Sequence, residues 1–242
     1  MTQNVYDDER FFSAYSQLDR SRRGLPGAPE WPALRAMLPE LAGLRVLDLG
    51  CGFGWFARWA AEAGGASVLG LDISERMLDR ARAATTSANI TYRRADLETV
   101  ELPKSSFELA FSSLAFHYVV ELGALFERVG RSLVRGGKLV FSMEHPIYMA
   151  PSRPAFLIDP DGTRTWPLDR YSEEGPRTTD WLAPGVVKQH RTIGTILNLL
   201  IGAGFAIRHV EEWSPNDDLL AQRPDLADER TRPMFLLVAA DH

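Results

Sequence analysis

Apolar side chains follow two periods along the first 142 residues, and each period predicts one kind of secondary structure. Five short apolar runs are predicted strands, at residues 44–49, 67–71, 90–94, 107–112 and 138–142. Between them apolar side chains recur every three to four positions, which predicts helices near residues 54–63, 75–84 and 121–134. This alternation of strands and helices predicts parallel strands joined by right-handed crossovers.

Two regions flank this alternation. In residues 1–43, helical spacing of apolar side chains predicts two short helices that pack on the sheet. Near the C-terminus, a helix around residues 193–201 precedes two further predicted strands, at 205–213 and 234–240. No helix is evident between these last two strands, so we expect them to be antiparallel neighbours.

Residues 145–189 show neither period and contain seven prolines. Trp166, Tyr171 and Trp181 nevertheless indicate an ordered segment, because disordered segments are poor in aromatic residues. Long connections inside compact domains are commonly functional. We predict a loop that covers a substrate and could include a short hairpin, the alternative being an ordered insertion that is decorative or serves dimerisation.

The segment R-V-L-D-L-G-C-G-F-G, from Arg45 to Gly54, joins a predicted strand to a predicted helix through a glycine turn. Gly50 and Gly52 allow positive φ angles and a close approach of the backbone to a ligand. A strand, a glycine turn and a helix N-terminus together form a site for a nucleotide-like cofactor. Asp72 ends the next strand about 20 residues further on, where a carboxylate can accept hydrogen bonds from both ribose hydroxyls.

The spacing of the glycines distinguishes between cofactors. A nicotinamide site has the pattern G-x-G-x-x-G, whereas this chain has G-x-G-x-G with Asp48 two residues upstream. The pattern resembles motif I of the class I S-adenosylmethionine-dependent methyltransferases. The resemblance continues through L-G-L-D-I-S (69–74), A-D-L (95–97), F-E-L-A-F-S-S-L-A-F-H-Y-V (107–119) and L-V-R-G-G-K-L-V-F-S (133–142).

This resemblance implies an α/β fold with a Rossmann-like sheet of seven mostly parallel strands, helices on both faces and an antiparallel last strand. Residues 1–242 would form a single methyltransferase domain. In similar enzymes the N-terminal helices fold over the pocket, which would make residues 1–43 a helical lid. Tyr6, Phe11 and Tyr15 would then exclude water from the cofactor.

The resemblance also implies roles for individual residues toward S-adenosylmethionine, whose product is S-adenosylhomocysteine. Asp48 would order the glycine turn and approach the ammonium group of the methionine end, and Asp72 would bind the ribose. The other cofactor-binding candidates are Gly50, Cys51 and Gly52 at the methionine end, Ile73, Met77, Asp96 and Leu97 around the adenine, Ser112 and Ser113 at the fourth strand end, and Tyr15.

The sequence after the fourth strand bears on the methyl acceptor. Nucleic-acid amino-methyltransferases carry (N/D)-P-P-(Y/F) here, and this chain has S-S-L-A at residues 112–115. The pattern resembles the small-molecule group that includes the ubiquinone and menaquinone methyltransferases, whose acceptors are oxygen, nitrogen or carbon atoms. No carboxylates for a metal ion follow this strand, so no metal is expected.

A hydroxyl acceptor would need a general base, and histidine is suited because its pKa lies near neutrality. His117 and His145 follow the fourth and fifth strands and are the catalytic candidates, although a lone histidine is more often structural. The candidates for lining the acceptor site are Tyr148, Trp181 and His190.

Composition narrows the classes of partner. A net charge of −5 argues against nonspecific binding of nucleic acid or of an anionic membrane. The single cysteine, Cys51, excludes an internal disulfide. The sequence shows no signal peptide and no apolar run of about 18 residues, which predicts a soluble, cytoplasmic protein. The oligomeric state stays open, with a homodimer as one option.

Two other functions use the same turn. A noncatalytic module could bind S-adenosylmethionine as a sensor or scaffold, although the aromatic-rich segment 145–189 favours a real acceptor pocket. An NAD-dependent oxidoreductase is disfavoured by the glycine spacing. The leading hypothesis is an enzyme that transfers a methyl group from S-adenosylmethionine to a small molecule.

Overall fold

The computed structural model describes residues 3–242 of the chain. In chain order the strands are β1 (Arg45–Leu49), β2 (Ser67–Asp72), β3 (Ile90–Arg94), β4 (Phe107–Ser113), β5 (Leu133–Glu144), β6 (Leu157–Ile158), β7 (Arg164–Thr165), β8 (Gly175–Thr179), β9 (Val186–His190), β10 (Ala206–Trp213) and β11 (Phe235–Asp241). The α-helices are α1 (Glu9–Tyr15), α2 (Asp19–Arg22), α3 (Trp31–Met37), α4 (Trp55–Glu62), α5 (Glu75–Ala83), α6 (Leu122–Ser132), α7 (Pro146–Met149), α8 (Ile193–Gly202) and α9 (Asp217–Gln222).

Seven strands form the central sheet in the order β10-β11-β5-β4-β1-β2-β3. The strands from β3 to β5 pair in parallel, and β11 pairs antiparallel with both β5 and β10. The predicted mostly parallel sheet with an antiparallel last strand is confirmed. No helix within residues 3–242 combines the length and apolar character needed to cross a bilayer.

The sheet is buried on both faces, which explains why its strands appear as continuous apolar runs in the sequence. Side chains alternate across a strand, so Leu47 and Leu49 of β1 pack with α6 and α8, while Val46 packs with α3 and α4. Asp48 shares the second face by the same alternation. The predicted helices on both faces of the sheet are therefore confirmed.

Strand β5 begins five residues before its predicted start. Helix α6 ends at Ser132, and Leu133 already pairs with Phe107 of β4. Residues 135–137, between the predicted helix and the predicted strand, lie inside β5, where the two glycines pair with the end of the chain. Gly136 N–H donates to the His242 carbonyl at 2.8 Å, and His242 N–H donates to the Gly137 carbonyl at 2.9 Å.

The segment at 145–189 contains two antiparallel hairpins, β6–β7 and β8–β9, preceded by the short helix α7. The connection between β10 and β11 differs from its prediction because it contains α9 and a 3₁₀ turn at Pro224–Arg230. Helix α9 begins where the Asn216 side chain accepts a hydrogen bond from the Leu219 N–H at 2.9 Å. So short a helix leaves little periodic signal in the sequence.

The glycine turn after β1 has the positive φ angles that its sequence predicts. Gly50, Gly52 and Gly54 adopt φ angles of 77°, 51° and 70°. The N–H groups of Gly50 and Cys51 both donate to the Leu71 carbonyl, at 2.8 and 2.9 Å. These bonds fix the turn against the end of β2.

Replacing Gly50 by alanine tests this turn against a matched position. A Cβ at Gly50 would lie 2.4 Å from the Ala115 Cβ, whereas at Gly43, which has a similar φ of 78°, it would meet nothing within 4 Å. We expect Gly43→Ala to cost about 1 kcal/mol in unfolding free energy through backbone strain. Gly50→Ala should cost about 1–3 kcal/mol more through the clash. Urea unfolding measures both, and equal losses would show that Ala115 moves aside freely.

Candidate functional site

A cavity of about 310 Å³ lies at the carboxyl ends of the parallel strands. Gly50 follows β1, Asp72 ends β2, Ser113 ends β4 and Glu144 ends β5, and all four residues line this main cavity. In open α/β sheets this edge is where ligands bind.

Asp72 holds the glycine turn at one end of the main cavity. Its Oδ2 accepts the Gly52 N–H at 2.8 Å, and its Oδ1 accepts the Ser74 N–H at 2.9 Å. Burial raises the pKa of Asp72 to about 6, against the effect of these two hydrogen bonds. Gly52 itself faces open space, since an added Cβ would meet nothing within 4 Å.

A smaller cavity of about 90 Å³ lies behind the glycine turn, and Asp48, Cys51 and Arg20 line it. Asp48 is 2% exposed, and its Oδ2 has no hydrogen-bond partner in the part of the chain that the structure describes. Burial, with the nearby charge of Asp72, raises the pKa of Asp48 to about 8. Burial also raises the pKa of the Cys51 thiol.

The N-terminal segment closes one side of the main cavity. Asp7 accepts hydrogen bonds from the Ser74 hydroxyl and, at 3.3 Å, from the Arg76 N–H. Ser74 is the N-cap of α5, and its Oγ accepts the Met77 N–H at 3.1 Å. The N-terminal segment is therefore held at the start of α5, next to Asp72.

Aromatic rings from two distant parts of the chain meet over the cavity. Trp181, between β8 and β9, packs edge-on against Phe11 and Tyr15, with ring centroids 5.5 and 6.3 Å apart. The Tyr6 hydroxyl lies 3.2 Å from the Tyr118 hydroxyl. Tyr6, Tyr15, Tyr118 and Trp181 line the main cavity.

His117 lies on the far wall, in the 3₁₀ turn Phe116–Tyr118. Its Nδ1 accepts the Glu144 N–H at 3.3 Å. Burial, together with the charges of Lys188 and Arg20, holds the pKa of His117 well below its ordinary value. The neutral ring consequently carries its proton on Nε2, which has no partner within residues 3–242.

Most of the predicted site residues come together in the main cavity. The cofactor-binding candidates at its wall are Tyr15, Gly50, Gly52, Asp72, Ile73, Met77, Asp96, Leu97 and Ser113. The acceptor-side candidates at its wall are His117, Tyr148 and Trp181. Asp48 and Cys51 lie at the smaller cavity, while the Ser112 hydroxyl donates to the Leu49 carbonyl at 2.7 Å inside the sheet.

The structure does not bring His145 or His190 to the cavity. The His145 Nδ1 accepts the Ile147 N–H at 3.0 Å as the N-cap of α7, and its Nε2 lies 2.8 Å from Glu212. His190 is fully buried, and its Nε2 donates to the Tyr171 carbonyl at 2.8 Å. Burial lowers the pKa of both rings. In this geometry both side chains act as structural residues.

Comparison with known proteins agrees with this geometry. A methyltransferase-domain family model matches residues 47–141. An S-adenosylmethionine-dependent methyltransferase from Mesorhizobium loti is 63% identical, with a TM-score of 0.87 over 90% of this chain and 100% of that one. The chain belongs to the class I S-adenosylmethionine-dependent methyltransferases.

Two further relatives align with this methyltransferase over different fractions of their length. An uncharacterized protein from Haemophilus influenzae is 34% identical over 98% of this chain and 96% of its own length. A malonyl-[acyl-carrier protein] O-methyltransferase from Erwinia pyrifoliae is 40% identical over 100 residues, which are 41% of this chain and 37% of that enzyme. The chain thus matches less than half of the Erwinia enzyme.

The cofactor of this methyltransferase is S-adenosylmethionine, and the residues present fit it. Open space beside Gly52 leaves room for a ligand along the turn. The unpartnered Oδ2 of the buried Asp48 is an acceptor suited to an ammonium group. Asp72 and Asp96 add carboxylates further along the same wall.

Several cavity residues were not identified as site residues from the sequence. Arg20 lines both cavities, whereas Arg22 and Arg23 are exposed. Glu144 and Glu229 also line the main cavity. Arg20 pairs with Glu30 and Glu144 with Lys188, 10 and 44 positions away, so no local spacing marks these two residues. Glu229 and its partner Arg232 are only three positions apart.

The raised pKa of Asp48 predicts how stability depends on pH. The folded pKa of about 8 exceeds the ordinary 3.8, so the protonated carboxyl favours the folded state. This contribution of Asp48 to the free energy of unfolding is fully present below pH 3.8 and is lost as the pH rises toward 8. We expect Asp48→Asn, which stays neutral, to become more stable relative to the unchanged protein between pH 5 and about 9, by about 1.4 kcal/mol per unit of pKa shift.

Urea unfolding of the ligand-free protein at several pH values measures this difference. Asp218→Asn is the control, because Asp218 is exposed on α9 and should leave the pH profile unchanged. If Asp48→Asn and the unchanged protein gave parallel profiles, Asp48 would be ionised in the folded state, and its ordinary pKa would be retained.

Proposed function

We propose that this methyltransferase transfers the methyl group of S-adenosylmethionine to a small molecule held in the main cavity. The observation that carries the proposal is the continuity of this cavity. One end is formed by the glycine turn and Asp72, and the other by aromatic and polar side chains from the N-terminal and 145–189 segments. A donor and an acceptor could therefore lie side by side away from water.

The proposal assigns the cofactor to the first end. Gly50 and Gly52 would lie along the methionine end, with Asp48 facing its ammonium group. Asp72 would accept the ribose hydroxyls on the lone pairs that its two backbone hydrogen bonds leave free. Around the adenine, the proposal places Ile73 and Met77 as apolar walls and Asp96 and Leu97 as polar contacts.

S-adenosylmethionine supplies an activated methyl group on a leaving group. The protein must then hold the two reactants near contact distance and exclude water. The rings of Tyr15 and Trp181 serve the second task, because they close the cavity from two segments that pack together. In this proposal the described part of the N-terminal segment, residues 3–43, forms a lid and residues 145–189 cover the acceptor.

Tyr148 and Trp181 would line the acceptor site, with Trp213 and Phe235 completing its apolar surface. The malonyl carrier-protein relative methylates an oxygen atom by name, and its matched stretch supports methyl transfer as the shared chemistry.

His117 would orient the acceptor by donating a hydrogen bond from Nε2. Its Nδ1 is already occupied by the Glu144 N–H, whereas a general base needs a free nitrogen lone pair. The low pKa also keeps the ring neutral. We therefore favour a donor role over the general-base role expected from the sequence.

Binding experiments test the cofactor half of the proposal. We expect calorimetric titration to show micromolar binding of S-adenosylhomocysteine and no binding of NADH. Asp72→Ala should weaken the binding of S-adenosylhomocysteine by about tenfold or more, since a buried hydrogen bond to a charged group is lost. Asp218→Ala, on exposed α9, is the control. Unchanged affinity in Asp72→Ala would mean that the ribose lies elsewhere.

Transfer of a labelled methyl group tests the acceptor half. The protein, with labelled S-adenosylmethionine, is incubated separately with pools of small hydroxy, carboxy, amino and activated-carbon compounds, with RNA and with protein. We expect label in one small-molecule pool, because the cavity is closed over by Trp181 and Tyr15. Label found only in RNA or protein would overturn the small-molecule proposal.

Two substitutions of His117 distinguish its role as a hydrogen-bond donor from a role as a general base. Glutamine places an amide near Nε2 and keeps a donor, whereas asparagine keeps an acceptor near Nδ1 and loses the donor. We expect His117→Gln to keep kcat within about tenfold and His117→Asn to raise the acceptor KM. A loss of roughly a hundredfold or more in kcat for both, with a flattened pH profile, would identify a general base.

A further inference from the structure

A guanidinium and a carboxyl group share the small cavity behind the glycine turn without pairing with each other. Arg20 and Asp48 both line this cavity. Asp48 Oδ2 has no hydrogen-bond partner, and Arg20 is bonded to Glu30 instead. A ligand that enters between them would meet a cation on one side and a carboxyl group on the other.

Arg20 is held by a buried carboxylate at one edge and by the ring of Phe235, over which its guanidinium lies 5.6 Å from the centroid. Its Nη2 donates to the two carboxylate oxygens of Glu30 at 2.9 and 3.1 Å, and Glu30 is fully buried. Within residues 3–242 its Nε and Nη1 have no hydrogen-bond partner. The guanidinium is thus oriented by a buried carboxylate while two of its three nitrogens stay available to a ligand.

The small cavity adjoins the main one at the glycine turn. Arg20, Tyr15, Gly50, Gly52 and Ser113 line both cavities. A ligand that lies along the glycine turn therefore has one end within reach of Arg20 and Asp48.

We propose that Arg20 binds the α-carboxylate of the methionine end of S-adenosylmethionine. That end is a zwitterion, with an ammonium and a carboxylate on one carbon. The unpartnered oxygen of Asp48 suits the ammonium, and the open edge of Arg20 suits the carboxylate. The assignment rests on the cofactor placement proposed above and is independent of the acceptor.

A purely structural role for Arg20 is the competing explanation. The Arg20–Glu30 ion pair joins α2 to the start of α3, so it could serve only to fix the N-terminal segment. That role would affect every ligand in the cavity equally. A carboxylate contact would affect only ligands that carry the amino-acid group.

The test compares two ligands that differ in this group. S-adenosylhomocysteine carries the amino acid, and 5′-methylthioadenosine has the same nucleoside with a methyl group in its place. The readout is the ratio of their dissociation constants in calorimetric titration, which cancels a general loss of folded protein. No acceptor is present.

The principal variant is the double change Arg20→Gln with Glu30→Gln, because removing Arg20 alone would leave a buried carboxylate unpaired. We expect it to bind S-adenosylhomocysteine about 10–100-fold more weakly and 5′-methylthioadenosine as before. Arg20→Lys should lose less affinity for S-adenosylhomocysteine, since it keeps a positive charge near the ligand. Arg23→Gln is the control, because Arg23 is exposed on the same turn.

The outcomes are distinct. An unchanged ratio of the two constants in the double variant, whether both ligands weaken or neither does, would overturn the carboxylate contact. Failure of the unchanged protein to bind either nucleoside would instead contradict the cofactor placement. A selective loss for S-adenosylhomocysteine in the double variant, absent in Arg23→Gln, would establish Arg20 as a cofactor-positioning residue.

Discussion

The hydrogen bond from the Gly52 N–H to the Asp72 carboxylate is the contact on which the site depends. It ties the turn after β1 to the end of β2, and it requires a backbone with positive φ that glycine adopts without strain. The same carboxylate accepts the Ser74 N–H, and the Ser74 hydroxyl in turn donates to Asp7. One chain of hydrogen bonds thus joins the cofactor turn, the start of α5 and the N-terminal segment.

Three charged side chains in the wall of the main cavity each form an ion pair with an oppositely charged side chain. Glu144 is paired with Lys188, Glu229 with Arg232 and Arg20 with Glu30, each pair containing at least one buried partner. Burying an unpaired charge is costly, so these pairs allow polar side chains to line an otherwise apolar space. Within residues 3–242, Asp48 and Asp72 have no cationic partner, and burial raises the pKa of both carboxyl groups.

The sequence predicted those features that a characteristic residue spacing marks. The glycine turn and the carboxylate of Asp72 follow from spacing and are present in the structure. His145 was misinterpreted because its contact with Glu212 joins residues 67 positions apart. Its position directly before a proline was nevertheless an N-cap signal that could have been recognised. Arg20 was missed because its inward direction depends on Glu30 in the next helix.

The proposed lid combines two segments that are distant in the chain, and in this proposal it couples the two halves of the site. Asp7 holds the N-terminal segment beside Asp72, while Trp181 packs on Phe11 and Tyr15 of that same segment. The surface that supports Trp181 is therefore the surface that lies over the cofactor end. Because an acceptor wall needs Trp181 in place, its completion depends on an ordered N-terminal segment. In the proposed arrangement, the cofactor and acceptor sites share one lid, so order at one end supports order at the other.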